Sequence, residues 1–449
     1  MKIEYISHNP GCRSLILVYA GWSTSPSLYQ DIEITGWDVA VVYDYSDLSV
    51  DLSFLEGYNT VWLFAWSLGV RMAAASLPPE KITAAFAING TLSPVSDTEG
   101  IPPKIYNGTA DNLDERNLKK FQRRMTPDSD VYHRLFERDF TDGEVLSLKK
   151  QLYNIRDLAA PNAEIPWRRA YLGCDDRIFP FQNMERHWKH AGIQIVKTDG
   201  AHYLPLAEIV RSVIPDCGLI AKKFSKASDT YDSNATAQRE IAGRLAAMLD
   251  SLPIPPRPKI LEIGPGTGLF TRAYAGRLKP GTIDFVDIAP VQPMHLAETE
   301  RYFCEDAEKW VRLAEEKYDC ILSSSTIQWF ANIPEFINNC SRLLRPGGVI
   351  LMSGFTKGNL GELDSLRPSP IHYHSPEEYQ KWFERNFYDT SVSTEEITLC
   401  FSSPRELMMH LKHTGVGGSA PSPGISPSAL RAIDRITYRP IYISATKRK

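Results

Sequence analysis

The stretch KILEIGPGTGLF, residues 259–270, decides the fold of the chain's second half. Ile260, Leu261 and Ile263 make an apolar run of the length of a buried strand. Gly264, Gly266 and Gly268 follow at alternate positions, and Leu269–Leu278 then carries helical spacing. Three residues without a Cβ let the backbone turn sharply at a sheet's carboxyl edge and approach a nucleotide-like ligand. A plain strand–helix turn has the same pattern, so the residues downstream carry the decision.

Residues 282–286 read as a second strand that ends in Asp287, 19 residues past Gly268. A carboxylate there is placed to accept both hydroxyl protons of a ribose. Asp306, in the segment CEDA at 304–307, follows the next short run, where an acid can accept from an adenine amino group. Tyr318–Ser323 is a further strand, and LLRPGGVIL at 343–351 reads as a helix end, a turn and a strand. Nicotinamide enzymes carry G-x-G-x-x-G, whereas the spacing here is G-x-G-x-G with Glu262 two residues before the first glycine.

That pattern resembles a class I (Rossmann-like) S-adenosyl-L-methionine-dependent methyltransferase. The resemblance implies S-adenosyl-L-methionine as cofactor, held by the loop of Glu262, Gly264, Gly266 and Gly268, with Asp287 at the ribose and Asp306 at the adenine. Glu262 fits an organiser of the loop better than a ligand contact.

At 449 residues the chain is too long for one ordinary core, and two domains are expected. A net charge of -4 excludes a broadly basic nucleic-acid binder. The seven cysteines are scattered and form no C-x-x-C, which argues against a zinc site or a disulfide framework, and no metal is expected. The opening MKIEYISHNP lacks the apolar core of a secretion signal, and no apolar run reaches membrane-spanning length. The expectation is a cytoplasmic enzyme without membrane or nucleic-acid partners.

In the first half, apolar runs at 14–20, 39–43, 61–66 and 84–89 alternate with helical stretches such as 71–77, the pattern of a parallel sheet covered on both faces. The run VWLFAW ends in Ser67-Leu68-Gly69. A serine between strand and helix, flanked by small residues, fits a nucleophile elbow, whose turn exposes the hydroxyl and leaves a helix-start N–H for an oxyanion. Glycine usually stands two residues before the serine; here it is Ala65. Alone, Ser67 also fits a helix N-cap. A base and an acid must follow in the order Ser, Asp, His. Asp175 and Asp176 lie in GCDDRIFP at 173–180, after a strand at 170–173. His202 lies in GAHYLP at 200–205, after a strand at 193–197.

Together with AGW (20–22), DY (44–45) and AWSLGV (65–70), these segments resemble the short, atypical α/β-hydrolases that act as pimeloyl-[acyl-carrier protein] methyl ester esterases of biotin synthesis. The resemblance implies Ser67 as nucleophile, His202 as base and Asp176 as its orienter, since the family's G-x-x-D-x-I/L-x-P spacing favours Asp176; the residues alone allow Asp175. It also implies the backbone N–H groups of Trp22 and Leu68 as oxyanion donors. A helical lid is expected at about 111–160. Residues 115–156 carry ten Lys/Arg against seven Asp/Glu, an excess that suits docking of an acidic acyl carrier protein or simply a solvated face.

The organisation expected is a hydrolase domain at 1–215, a junction at 216–228 and a methyltransferase domain at 229–449. After the strand ending at Ser323 the chain has no Asn-Pro-Pro-Tyr signature, no nucleophilic cysteine and no evident base. A carboxylate acceptor needs none, being ionised at neutral pH. Tyr231-Asp232, Ala237-Gln238, Ile327-Gln328-Trp329, KGNLGEL at 357–363 and LKHTG at 411–415 resemble malonyl-[acyl-carrier protein] O-methyltransferase. By that resemblance Gln328 and Trp329 border the methyl-transfer site, although Trp329 also fits core packing. A Gly/Ser/Pro-rich surface loop at 417–428 precedes a last helix–strand pair at 429–444. The two resemblances belong to one pathway and imply a bifunctional enzyme whose partner is acyl carrier protein. Activity on small esters and acids, or an inactive docking first half, are the alternatives.

Overall fold

The computed structural model describes residues 1–159, 164–215, 217–364, 369, 371–414 and 433–448. The chain divides into two compact units, Met1–Arg211 and Ser212–Lys449. In the first, the fully buried runs become the inner strands of a seven-stranded sheet. Its strands are β1 (Lys2–Ser7), β2 (Ser14–Tyr19), β3 (Asp38–Tyr43), β4 (Thr60–Trp66), β5 (Ala84–Ile88), β6 (Trp167–Gly173) and β7 (Gln194–Thr198). They lie in the order β1-β3-β2-β4-β5-β6-β7, parallel except for β1, which runs antiparallel along β3. Strand β1 was not expected. Its sequence, KIEYIS, has little buried surface, and its alternation runs for four residues only before Ile6 breaks it.

Helix α1 (Leu68–Ser76) leaves β4 directly. Between β5 and β6 stand α2 (Pro103–Asp111), α3 (Glu115–Met125), α4 (Ser129–Leu135) and α5 (Asp142–Arg156), so the helical insertion begins earlier than expected. Helix α5 opens on a capping box in which Thr141 and Glu144 satisfy each other's backbone N–H groups. Helices α6 (Phe181–His190) and α7 (Leu206–Val213) complete the α/β layers.

The second unit begins with α8 (Cys217–Asn234) and α9 (Thr236–Met248). Its sheet has the order β10-β9-β8-β11-β12-β16-β13. The parallel strands are β8 (Lys259–Ile263), β9 (Thr282–Asp287), β10 (Thr299–Cys304), β11 (Tyr318–Ser323) and β12 (Leu344–Phe355). Between them lie α10 (Leu269–Leu278), α11 (Ala307–Leu313) and α12 (Ile333–Leu343). After β12 come α13 (Pro376–Glu384), β13 (Phe387–Thr394), β14 (Ile397–Cys400) and α14 (Pro404–His413), then β15 (Arg435–Tyr438) and β16 (Pro440–Lys447). Strand β16 runs antiparallel to both β12 and β13. Alternate residues of β8 serve opposite faces: Ile260 packs with Ile283 and Leu322, whereas Leu261 and Ile263 pack with Val286 and Ile321.

In the segment read as helix end, turn and strand, the helix does end at Leu343, but the turn and strand are one strand with a bulge. Leu344 pairs with Tyr318 and Val349 with Cys320, so Arg345–Gly348 add residues within β12, and Gly347 takes φ +76°. The expected surface loop at 417–428, Gly415 of LKHTG and residues 429–432 lie outside the described residues, and the described remainder of the last expected helix–strand pair is two strands, β15 and β16.

Candidate active sites

In the first unit, β4 delivers Ser67 at the sheet's carboxyl edge with φ 59° and ψ -129°, a strained geometry for a non-glycine residue. The elbow's close approaches fall on two later glycines. A Cβ at Gly69 would stand 2.4 Å from the Tyr19 carbonyl oxygen, and one at Gly90 2.2 Å from that of Ser67. Ala65 lies inside β4, fully buried between Tyr19 and Ala87. Its methyl group is accommodated, so the departure from the usual glycine leaves the turn intact.

Ser67 Oγ lies 2.8 Å from His202 Nε2, and His202 Nδ1 lies 2.8 Å from Asp176 Oδ2. An ionised carboxylate only accepts, so Nδ1 carries the proton and Nε2 is left to accept from the serine hydroxyl. The Asp176 and His202 side chains are buried. The other Asp176 oxygen accepts the N–H groups of Ile178 (2.7 Å) and Phe179 (2.9 Å), which fixes the carboxylate plane. Asp175 is exposed. The geometry therefore joins Asp176, and not Asp175, to the histidine.

Two groups hold the histidine loop from behind. Trp66 Nε1–H donates to the His202 carbonyl oxygen at 2.9 Å, and Asn89 Nδ2 donates to the carbonyls of Ala201 and His202, each at 2.8 Å. Asn89 Oδ1 accepts Gly173 N–H at 2.7 Å, so one buried amide joins the ends of β5 and β6 to the histidine loop. Asn89 escaped the sequence reading. A single asparagine one residue past a strand is ordinary, and only its φ of +42° marks the position. Leu68 begins α1, where backbone N–H groups lack helical partners. Trp22 follows β2; its indole donates to the Leu148 carbonyl at 3.0 Å and meets Phe121 edge-on, joining its loop to α5 and α3.

In the second unit, Gly264, Gly266 and Gly268 all have positive φ, at 66°, 54° and 84°. Cβ atoms at Gly264 and Gly268 would collide with Thr326 and Met294, whereas nothing lies within 4 Å of one at Gly266. The middle of the loop is thus bare backbone beside open space, and its Gly266 N–H donates to Asp287 Oδ2 at 3.0 Å. Asp287 Oδ1 accepts Ala289 N–H at 2.9 Å. Burial pushes the Asp287 carboxyl above its ordinary range, against the pull of these N–H donors. Bare backbone with a carboxylate at the neighbouring strand end fits the ribose and methionine parts of S-adenosyl-L-methionine.

Glu262 is fully buried and turned away from the loop. It accepts from Thr271 Oγ1 (3.0 and 2.9 Å) and Tyr274 Oη (2.6 Å), which clamps α10 onto β8. Burial raises its carboxyl to about 7. Asp306 caps α11 through Glu308 N–H (2.9 Å), and its second oxygen lies 3.5 Å from Cys217 Sγ. Asp232 of α8 accepts from Thr267 Oγ1 (2.5 Å) and Arg272 (2.7 Å), which gives this aspartate a physical role as an anchor of the glycine loop.

Gln328 sits in a short turn after β11. Its Nε2 donates to the Ser325 carbonyl at 2.7 Å, leaving Oε1 buried without a partner, and Trp329 is half-buried beside it. Glu308, which the sequence did not single out, accepts the N–H groups of Ala331 and Asn332, both at 2.8 Å, and ties that turn to α11. Among the described residues no cluster suits a metal ion, and no helix is long and apolar enough to cross a membrane.

Comparison with known proteins supplies the family. Residues 1–209 match the family described as pimeloyl-ACP methyl esterase BioG, and residues 233–407 match a methyltransferase domain. A malonyl-[acyl-carrier protein] O-methyltransferase of Bacteroides fragilis is 31% identical, over 98% of this chain and 94% of its own length. The enzyme of that name from Bacteroides thetaiotaomicron is 32% identical over 51% of this chain and 98% of its own. The crystal structure of BioG from Haemophilus influenzae covers 46% of this chain and 95% of its own at 29% identity, with a TM-score of 0.41.

Proposed function

The chain belongs to the malonyl-[acyl-carrier protein] O-methyltransferase family and carries a BioG esterase domain ahead of its methyltransferase domain, and from that premise we propose that it makes one carrier-bound methyl ester and cleaves another. The second domain methylates the free carboxylate of malonyl-[acyl-carrier protein]. The first hydrolyses pimeloyl-[acyl-carrier protein] methyl ester to pimeloyl-[acyl-carrier protein] and methanol. The hydrogen-bonded line Ser67–His202–Asp176 carries the hydrolytic half.

In that half, His202 Nε2 takes the Ser67 proton as Oγ attacks the ester carbonyl, and Asp176 stabilises the imidazolium that forms. The N–H groups of Leu68 and Trp22 receive the oxyanion. His202 returns the proton to the departing methanol, then activates the water that releases the acyl group from Ser67.

In the methyltransferase half, S-adenosyl-L-methionine supplies an electrophilic methyl group. Gly264, Gly266 and Gly268 would hold it with Asp287 and Asp306, while Glu262 braces the loop from behind. The acceptor is already ionised, so the protein's task is to align one carboxylate oxygen and exclude water. Capping that carboxylate removes a charge whose burial in the apolar sites of chain elongation is costly. The first domain restores an acid once the acyl chain has grown.

The test is growth without biotin in two bacterial strains, one lacking its malonyl-carrier methyltransferase and one lacking its pimeloyl-ester esterase. The gene should rescue both. Rescue of the methyltransferase strain alone would overturn the hydrolytic half.

A further inference from the structure

Asn359 is 2% exposed and lies on the loop that leaves the carboxyl end of β12. Its Oδ1 accepts Arg439 N–H at 3.0 Å, which settles which end of the amide is which. The opposite end, Nδ2, is buried and has no hydrogen-bond partner. A buried donor left unpaired is costly, and a ligand that accepts from it removes that cost.

The loop around it is built to hold the residue still. Leu360, a non-glycine residue, is strained at φ 56°. Its N–H donates to the Thr437 carbonyl at 2.9 Å, while Glu362 accepts both the N–H (3.1 Å) and the hydroxyl (2.6 Å) of Thr437. Three bonds to β15 thus keep a strained turn in place and hold the Asn359 amide rigidly within it.

The location matches an acceptor. In such a sheet ligands bind beyond the carboxyl ends of the strands. The glycine loop covers the end of β8, and Thr326 after β11 packs against Gly264. A Cβ at Gly354, near the end of β12, would meet Ile327 and stand 3.2 Å from Gln328 Oε1. The strand ends therefore run continuously from the cofactor loop through Gln328 to the segment bearing Asn359.

We propose that Asn359 binds the acceptor carboxylate, its Nδ2 donating to the oxygen that does not take the methyl group; this rests on the methyltransferase reading above. A neutral amide suits that role better than a lysine or arginine. A full cation would draw charge from the carboxylate and lower its nucleophilicity, whereas an amide N–H orients one oxygen and leaves the other free to react.

Asn359→Asp isolates the proposal, because aspartate keeps an acceptor for Arg439 N–H and puts an anionic oxygen where the donor stood. In the full chain, kcat/KM for malonyl-carrier should fall about 100-fold, and by about 10-fold in Asn359→Ala. Titration of malonyl-carrier onto the protein saturated with S-adenosylhomocysteine should show matching weakening for Asn359→Asp. Cofactor affinity should stay at the wild-type value in both variants, while the melting temperature of Asn359→Asp falls because its carboxylate is buried without a partner. Wild-type turnover and carrier affinity in Asn359→Asp would overturn the assignment, as would a loss explained by cofactor affinity alone. Failure of the wild-type protein to methylate malonyl-carrier would instead overturn the underlying reading together with it.

Discussion

The Asn89 side chain holds the main-chain carbonyl of His202 at 2.8 Å while its own oxygen takes the N–H of Gly173, three residues before Asp176. One amide therefore sets the histidine relative to its carboxylate. Asn89→Ala should lower kcat for ester hydrolysis about 10- to 100-fold with KM little changed, because the loss is of alignment and not of binding. The rate of Ser67 labelling by a fluorophosphonate should fall in parallel. A KM effect with unchanged kcat would count against this role.

The elbow tolerates Ala65 because its tight contacts fall elsewhere. Ala65→Gly should leave hydrolysis within about 2-fold and stability within ~1 kcal/mol, the cost of glycine in a strand. Gly69→Ala forces a methyl against the Tyr19 carbonyl and should destabilise the first unit by about 3 kcal/mol or more. Thermal unfolding and hydrolysis rates of the two variants check both expectations.

Glu262 links pH to stability in the second unit. Its folded carboxyl is raised from 4.5 to about 7, so between those values the folded state holds more proton than the unfolded one. Stability from this group is present at low pH, falls as pH rises through that window and levels off above it. Glu308, also raised to about 7 by burial, acts in the same direction. Glu262→Gln should flatten part of the slope in melting temperature between about pH 5 and pH 7. An unchanged slope would show that Glu262 stays ionised.

An ester-maker joined to an ester-breaker wastes cofactor unless the hydrolase discriminates by chain length. Hydrolysis of pimeloyl-carrier methyl ester should exceed that of malonyl-carrier methyl ester by at least about 100-fold in kcat/KM, since each methylene in an apolar pocket is worth roughly 1 kcal/mol. Equal rates on the two esters would contradict the division of labour.

Local motifs made much of this legible. The alternate glycines, the serine after a β-run and the ordered aspartate and histidine are each written in a few neighbouring residues, and the structure gives the three glycines positive φ and joins Ser67, His202 and Asp176 by hydrogen bonds. What escaped depends on contacts remote in sequence. Asn89 joins residues 84 and 113 positions away, and Glu308 reaches Ala331 and Asn332. Strand β1 and the polar edge strand β13 exist through pairing with β3 and β16, not through their own alternation. Asp175 and Asp176 were inseparable by residue type; only the folded loop turns one toward His202.

The most direct measurement crosses two variants of the full chain with two assays, methylation of malonyl-carrier and hydrolysis of pimeloyl-carrier methyl ester. Ser67→Ala should abolish hydrolysis and leave methylation intact, and Asp287→Ala should do the reverse. A folded variant that loses both activities, or Ser67→Ala that still hydrolyses the ester, would contradict the assignment of two independent sites to one chain.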